Sequence, residues 1–333
     1  TKQLQGAQEL RLPFVPLSAS VAMAPPRGSA RATLKRPAAA LSGGSARKGR
    51  DGVKVKKKGK AAANARASRP PATWKADYPL IQRLRARRDA PVDSVGCERL
   101  ADPKAKRADF EWQCLVAAML SSQTKDQANA EAMTALHAHG NTIENISRTP
   151  VSLLDKLIAK VGFHSVKAKN VRAAAEICLA LHKGRVPRTI EGLLALPGVG
   201  PKMAYLTLHA AFDAQEGICV DTHVHRIANV LRWIRTKTPE ETRMALEAWL
   251  PKRYWPDFNI LMVGLGQQQQ QTPQKLVERC LRLKSPAAAL RLVANIGVPL
   301  RAGRLPALDA LAGRDPAVRR LLAARGGGRG REK

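Results

Sequence analysis

The chain has 333 residues and carries 57 Lys and Arg against 26 Asp and Glu, which gives a formal net charge of +31 at pH 7. This excess favours a polyanionic partner, either nucleic acid or an anionic membrane surface. The sequence lacks the run of about 18 apolar residues that a membrane-spanning helix needs. Its five cysteines follow no CxxC or regular spacing, which excludes a disulfide-stapled secreted domain and favours a reducing compartment.

The first segment, residues 1–76, is strongly basic. It contains 17 Lys and Arg and two acids, a charge of +15, and its Ala, Pro, Gly and Ser content predicts disorder. Within it, KVKKKGK (54–60) indicates a nuclear-localisation signal or a non-specific DNA-binding arm, and is equally typical of a solvated charged tail. The few acids in the first 50 residues also fit an organellar transit peptide. The predicted location is the nucleus, with the mitochondrion as a second compartment.

The last segment, residues 301–333, is predicted to be a second basic tail with a charge of +6, in which 305–322 forms a weak helix. Residues 77–300 keep a charge of +10 without either tail. The nucleic-acid interpretation therefore does not depend on the tails alone.

Between the tails the sequence predicts a series of helices, because apolar residues recur at helical spacing and no stretch alternates with a period of two. The fold class is therefore all-α, with turns at Gly and Pro. In chain order, the predicted helices are 110–120, 126–139, 153–161, 166–182, 190–196, 201–212, 222–233, 239–250 and 254–266.

The segment LPGVGPK (196–202) lies between two of these helices. Gly198 and Gly200, one residue apart around Val199, permit a tight reversal and expose backbone N–H groups, and the following helix adds its own free N–H groups. Together they predict a site for one phosphate in a helix-hairpin-helix, which binds the DNA backbone without recognising base sequence. The alternative is an ordinary helical turn, which the flanking helices and the Pro-Lys pair disfavour.

Lys202 lies in the first turn of the second helix, where the helix dipole disfavours a cation. That potential and partial burial predict a lowered pKa for its amine. A neutral amine attacks a sugar carbon and forms a Schiff base. A surface lysine that contacts phosphate is an equally weighted alternative at this point.

Asp221 precedes a helical run in VDTHVHRI, so it is either a helix N-cap or a sheltered carboxylate that takes a proton from the amine or stabilises a cationic sugar. His223 and His225 are two residues apart and face different sides of a helix, which argues against a shared metal site.

Three motifs resemble the endonuclease III family of DNA glycosylases, with the best match to its eukaryotic members. They are LSSQTKDQ (120–127), LPGVGPKMA (196–204) and VDTHVHRIANVLRW (220–233), in the family's order within 77–268. The resemblance implies a six-helix barrel domain at 105–214 with the helix-hairpin-helix at 190–212. It implies a second helical domain from 77–104 and 215–300, with DNA in the cleft between them.

By the same resemblance, Lys202 matches the family's Schiff-base lysine and Asp221 its catalytic aspartate. Gln123 matches the residue that fills the gap left by a flipped base, and Phe163 in VGFHSVKAKN lies where the family places a second wedge. The alternatives are a helix-end cap for Gln123 and a core aromatic for Phe163. The predicted DNA contacts are completed by Gly198, Val199, Gly200 and Lys167.

One departure from the family concerns its 4Fe-4S cluster, which four cysteines spaced C-x₆-C-x₂-C-x₅-C bind after a GFGQ motif. Here GLGQ (264–267) is followed by Gln270, Val277, Cys280 and Pro286 at those positions. Only Cys280 supplies a thiolate, so we predict no metal ligand set and no cofactor in the degenerate region 264–290. The expected consequences are a polar, mobile loop at 267–271 and a helix at 273–283 anchored by Leu276, Val277, Leu281 and Leu283.

The resemblance implies a bifunctional DNA glycosylase and abasic-site lyase of base excision repair. It would remove oxidised pyrimidines from double-stranded DNA and cleave the abasic site by β-elimination, as a monomer that does not bind a membrane. The alternatives are a non-catalytic helix-hairpin-helix DNA-binding protein and a related adenine or oxidised-guanine glycosylase. Lys202 together with Asp221 favours the enzyme, because binding alone requires neither.

Overall fold

The computed structural model describes residues 70–326, with side chains as far as residue 324, and over that range it contains helices and no β-strand. The all-α class is therefore confirmed. None of these helices is long and apolar enough to cross a membrane. In chain order they are α1 (Trp74–Leu84), α2 (Pro91–Val95), α3 (Arg107–Leu120), α4 (Asp126–His139), α5 (Ile143–Arg148), α6 (Val151–Leu157), α7 (His164–His182), α8 (Ile190–Leu194), α9 (Pro201–Phe212), α10 (Thr222–Val230), α11 (Pro239–Glu247), α12 (Trp255–Gln271), α13 (Pro273–Leu281), α14 (Pro286–Asn295), α15 (Pro306–Arg314) and α16 (Pro316–Gly326).

Local sequence signals explain where many of these helices begin. Thr142, Thr189, Asp221 and Thr238 are N-caps whose side chains accept a hydrogen bond from the backbone N–H three residues later. Each cap satisfies one of the N–H groups that a helix start leaves free. Pro occupies the first turn of many others, α9 among them, because its missing N–H costs nothing there.

Helices α3 to α9 share one apolar core, here called the central core. Trp112 is fully buried in it, and its indole N–H donates to Asn141 at 3.0 Å. At the start of α3 the buried carboxylate of Glu111 accepts hydrogen bonds from three guanidinium groups, those of Arg107, Arg185 and Arg188. This cluster ties α3 to the segment that follows α7.

A second apolar core, here called the terminal core, joins α1 to the chain from Ile218 onward. Stacked and edge-to-face aromatic rings occupy its centre, with centroids 5.1–6.4 Å apart (Trp74, Tyr78, Trp233, Trp249, Tyr254 and Phe258). Helix α12 runs through this core and ends beside α4 of the central core, where a side chain of α12 bonds to Asp126.

The structure corrects three expectations about the ends and the C-terminal half of the chain. Residues 306–326 form two helices instead of a tail, and their Leu308 and Val318 are each 1% exposed in the terminal core. Residues 267–271 belong to α12 and are not a loop, since glutamine is a good helix former. Trp74 is buried, so folded structure begins before residue 77, and the rest of the predicted disordered segment lies outside the described residues.

Candidate active site

The turn between α8 and α9 is built around two glycines with different roles. Gly198 has φ +75°, and a Cβ there would collide with the side chain of Asn170, so both conformation and space require glycine. Gly200 has an ordinary extended backbone, and a Cβ there would meet nothing within 4 Å. Gly200 thus leaves open space in front of the helix start.

Val199 anchors this turn from inside. Its side chain is buried in the central core, and its N–H donates to the carbonyl of Leu196 at 3.2 Å. Among the described residues, the N–H groups of Gly200, Lys202 and Met203 have no acceptor. These free donors at the positive end of α9 are suited to bind an anion.

Lys202 is the second residue of α9 and is partly buried. Burial lowers the pKa of its amine, but the charge of neighbouring groups, with Asp221 and Asp126 among them, raises that pKa by more, so the net shift is upward. The predicted lowering of this pKa is therefore wrong. Burial and the helix dipole can be inferred from local sequence, whereas the carboxyl groups of Asp221 and Asp126 approach the amine from other segments of the chain.

The thiols near Lys202 carry no charge at neutral pH. Burial raises the pKa of Cys97 to about 12 and that of Cys219 well above its ordinary range. Asp221 and Asp126 are among the neighbours that raise the pKa of the amine. A resting ammonium beside two carboxylates can lose its proton locally once a substrate is bound.

Asp221 performs the N-cap role that its position allowed. Its Oδ1 accepts a hydrogen bond from the N–H of Val224 at 2.8 Å, which begins α10. The residue before it, Val220, is buried in the terminal core. The cap holds the carboxylate in one orientation near Lys202, so the structural role and proximity to the amine are combined in one side chain.

A cavity of about 260 Å³ lies beside Lys202, between α9 and the start of α11. Tyr205, Val220 and Arg243 contribute to its lining. Small-molecule pockets are commonly about 300–1,000 Å³, so this space fits a small group better than a whole free ligand.

Sequence analysis missed Asp126, although it lies in the LSSQTKDQ motif. Asp126 is the first residue of α4, and its carboxylate accepts a hydrogen bond from Gln267 at 2.6 Å. Burial raises the pKa of this carboxyl group. The useful signal was an acid three residues after Gln123 in a polar stretch between two helices.

The GLGQ segment of α12 was expected only to precede a lost metal site, yet it organises the cleft. A Cβ at Gly264 would overlap the buried guanidinium of Arg85, and one at Gly266 would overlap the imidazole of His223. Both glycines therefore make room for a side chain from another helix. His223 faces α12, whereas His225 bonds to Thr242 at 2.7 Å, in agreement with separate roles for the two histidines.

Gln123 and Phe163 lie on neighbouring turns. Both have positive φ values, 47° and 58°, which non-glycine residues rarely adopt. The turns touch at Gly162, whose N–H donates to Thr124 Oγ1 at 3.1 Å. Gln123 is exposed and Phe163 is 65% exposed, which excludes the core-aromatic alternative for Phe163. Strained backbone at two exposed, adjacent side chains is typical of a functional surface.

The structure places Lys167 inside the protein, where its ammonium does not face outward to a phosphate. The residue is 7% exposed, and its Nζ donates to Leu120 O at 2.7 Å, Ser122 O at 2.6 Å and Thr124 Oγ1 at 2.9 Å. These bonds fasten the Gln123 turn to α7. The sequence analysis had placed Lys167 among the DNA contacts.

The residues at the family's cluster positions do not fit a 4Fe-4S cluster. Val277 and Cys280 are buried in the terminal core, and burial raises the pKa of the Cys280 thiol to about 12. The described residues include no group of three or more His, Cys, Asp or Glu that could hold a metal ion. Cluster ligation needs several thiolates, and here apolar packing fills the space around the single thiol.

The comparisons with known proteins agree with this fold and site. Residues 116–252 match the model of the HhH-GPD superfamily of base excision DNA repair proteins. The class of protein that the helix-hairpin-helix and the Lys202 cleft define is therefore a base excision repair DNA glycosylase.

Individual relatives show to which family of base excision repair glycosylases the chain belongs. The chain is 46% identical over 221 residues to endonuclease III-like protein 1 of Bos taurus, which covers 66% of this chain and 72% of the relative. It is 47% identical over 200 residues to the protein of that name in Mus musculus, covering 60% and 67%. A solved structure of endonuclease III, trapped as a covalent intermediate with DNA, aligns with a TM-score of 0.53 and 26% identity over 67% of this chain and 95% of that one. The chain belongs to the endonuclease III family.

Proposed function

We propose that this chain is a bifunctional DNA glycosylase and abasic-site lyase in which Lys202 is the nucleophile. Its neutral Nζ attacks C1′ of the damaged nucleotide, so an N–C1′ bond forms, the glycosidic bond breaks, and the electron pair leaves with the base, which takes up a proton. Ring opening and loss of a proton from nitrogen produce a Schiff base. Removal of a C2′ proton then breaks the C3′–O bond, and the strand on the 3′ side leaves with a 5′ phosphate. Hydrolysis of the remaining Schiff base by water frees Lys202.

The observation that carries this proposal is the setting of Lys202. Its amine is partly buried at a helix start with free N–H groups and lies near Asp221 and Asp126. A lysine that only contacted phosphate would not need two carboxylates, which reduce its positive charge toward DNA. We assign Asp221 as the group that accepts the Lys202 proton and stabilises the cationic sugar.

The covalent chemistry is supported by a relative of known structure. The endonuclease III that aligns with this chain was trapped as a covalent intermediate with DNA. An amine that forms such an adduct must be reachable from DNA, and the position of Lys202 at the start of α9, beside free N–H groups, supports this role.

We assign DNA contacts to the surface around this cleft. Gln123 and Phe163 would enter the duplex where a nucleotide is flipped out, since a wedge side chain offsets part of the unstacking cost. The turn from Gly198 to Gly200 would bind one backbone phosphate through the free N–H groups of α9. Lys167 would act from inside by holding the Gln123 turn.

The proposed substrate is an oxidised pyrimidine or abasic site in double-stranded DNA, and the proposed active form is a monomer. We further propose that the central core is the barrel domain and the terminal core the second domain, with DNA in the cleft that Lys202, Asp221 and Asp126 line. The basic composition favours the nucleus, with the mitochondrion as a second compartment.

Borohydride trapping on duplexes that each carry one defined lesion tests this function. We expect a covalent adduct with an abasic site and with an oxidised pyrimidine, and none with an undamaged duplex. Lys202→Gln should abolish the adduct and keep DNA affinity within about threefold, because backbone amides and the basic surface supply the affinity. If Lys202→Gln still cleaves abasic DNA at the wild-type rate, the assignment of Lys202 as the nucleophile is wrong. Activity confined to adenine or oxidised guanine would overturn the substrate class.

A further inference from the structure

Gln267, in the last turns of α12, connects three segments that are far apart in the sequence. Its side-chain oxygen accepts a hydrogen bond from the N–H of Val92 at 2.9 Å, and its nitrogen donates to Asp126 Oδ2 at 2.6 Å. Val92 belongs to the start of α2, Asp126 begins α4 beside the Lys202 cleft, and α12 belongs to the terminal core. One amide therefore bridges the two cores at the cleft.

The chemistry of the two partners determines the orientation of this amide. A backbone N–H can only donate, so the side-chain oxygen of Gln267 must face Val92. An ionised carboxylate can only accept, so the side-chain nitrogen must face Asp126. Neither Glu nor an apolar residue of the same length can make both bonds, and the hydrogen bond to Asp126 favours its ionised form.

Asp126 is surrounded by charged and titratable groups from every element near it. Lys202 of α9 and His223 of α10 lower the pKa of its carboxyl group, Asp221 at the start of α10 raises it, and Cys97 also lies close. Burial is the largest effect and raises this pKa. The Gln267 hydrogen bond is the strongest influence in the opposite direction. Of these partners, Gln267 is the one whose side chain cannot ionise.

We propose that Gln267 is a positioning residue for the reaction of Lys202, because it holds the Asp126 carboxylate, in its ionised form, in the cleft. The inference rests on the proposed function and assigns Gln267 no contact with DNA. In this interpretation Asp126 shares with Asp221 the task of balancing the Lys202 charge. The Gln267 amide keeps Asp126 available for that task at pH values where a buried acid would otherwise be protonated.

The next two glutamines of α12 support a tethering role for this end of the helix. Gln268, 4% exposed, donates to Asp89 at 2.7 Å. Gln269 accepts from Arg226 at 3.0 Å, and Arg226 lies on α10, the helix that Asp221 caps. Gln270 is exposed and has no side-chain hydrogen bond within the described residues. It therefore offers a matched control on the same helix.

The test compares Gln267→Met with Gln270→Met across pH 5–9, using base release and borohydride trapping. Methionine has the length of glutamine but cannot hydrogen-bond to Asp126. We expect Gln267→Met to lose about tenfold in kcat near pH 6, with KM within twofold, and to approach the wild-type rate near pH 8.5. The acid limb of its profile moves to higher pH because a carboxylate without its donor keeps its proton longer. Gln270→Met should follow the wild type at every pH.

Gln267→Glu separates this role from a purely structural one. A second carboxylate at this place should move the acid limb further in the same direction, whereas a general loss of structure would reduce the rate equally at all pH values. Gln267→Met or Gln267→Glu with an unshifted acid limb would overturn the inference. If the wild type releases base but forms no trapped adduct, the nucleophile assignment fails, and the Gln267 comparison is still obtained from base release.

Discussion

The ammonium of Lys167 donates a hydrogen bond of 2.6 Å to the carbonyl oxygen of Ser122, a residue 45 positions earlier in the chain. Two further bonds, to Leu120 and Thr124, complete the three that an ammonium group can donate. A buried lysine therefore holds the backbone on both sides of Gln123, whose positive φ value is otherwise unfavourable. Lys167 should therefore influence the reaction through that turn.

Replacing Lys167 with Met should reduce excision from duplex DNA by about tenfold or more while largely sparing an abasic site in single-stranded DNA. The reason is that Gln123 is proposed to fill the gap in a duplex, and single-stranded DNA has no such gap. Rates on the two substrates, measured in parallel, check this. Lys169→Met, on the same helix but exposed, is the matched control. An equal loss on both substrates would contradict the assignment.

The stability contributed at Lys167 should depend on pH. Burial and the nearby charge of Lys202 lower the pKa of Lys167 to about 8, whereas an unfolded lysine titrates near 10.4. Between these values the unfolded chain binds more protons than the folded one, so stability rises with pH there. Between pH 7 and pH 10, the free energy of unfolding of the wild type should therefore rise relative to that of Lys167→Met, by at most about 3 kcal/mol. Urea unfolding of both proteins measures this. If the difference in free energy of unfolding between the two proteins does not change with pH, Lys167 does not titrate in this range.

Asp221→Asn should separate the cap from the chemistry. Asparagine caps a helix about as well as aspartate, so the free energy of unfolding should change little. Loss of the charge beside Lys202 lowers the pKa of that amine and removes the proposed proton acceptor, so base release should fall by about 100-fold or more. Asp221→Ala should lose the cap as well, at a cost of about 1 kcal/mol. Thermal melts and single-turnover rates measure both effects. If Asp221→Asn releases base at the wild-type rate, Asp221 serves only as a helix cap.

The two hairpin glycines should respond differently to alanine. Gly198→Ala forces a Cβ into a left-handed conformation and against Asn170, so it should destabilise the fold by about 1–2 kcal/mol or more. Gly200→Ala meets no protein atom within 4 Å and should fold normally, yet it should weaken DNA binding because its Cβ lies where a phosphate would approach. Unfolding curves and DNA affinity at one fixed salt concentration check the pair. If Gly200→Ala binds DNA as tightly as the wild type, the proposed phosphate contact at Gly200 is wrong.

The purified protein should be colourless and active without iron. In place of a ligand set, α13 packs against its neighbours through Leu276 and Val277, which are 1% and 3% exposed. Leu276→Ala should therefore cost about 2–5 kcal/mol, and chelator treatment should leave base release unchanged. Metal analysis and the visible spectrum measure the iron content, and unfolding curves measure the effect of Leu276→Ala. A brown preparation with about four irons per chain would contradict the ligand argument.

Much of the local structure follows from sequence. The predicted helices at 126–139 and 201–212 match α4 and α9, because a proline at a first turn and residues that adopt a left-handed conformation mark their limits. The predicted helix at 273–283 matches α13 to within two residues, and Leu276 and Val277 are buried as its periodicity indicated. Helix α1 was missed because Pro79 lies within it and its partners are aromatic side chains more than 150 residues later.

The sequence by itself determined the all-α class and the hairpin with Lys202 at its helix start, since these depend on local periodicity and spacing. Its three motifs also resembled the endonuclease III family. Only the tertiary structure decided three features: the direction of the Lys202 pKa shift, the burial of the Lys167 side chain, and the two hydrogen bonds that Gln267 makes from α12. Each of these depends on charges or hydrogen-bond partners far away along the chain, 45 residues for Ser122 and Lys167 and 175 residues for Val92 and Gln267. Such pairs meet only when the helices pack, because a hydrogen bond or a local field acts over a few ångströms and cannot be inferred from the spacing of residues.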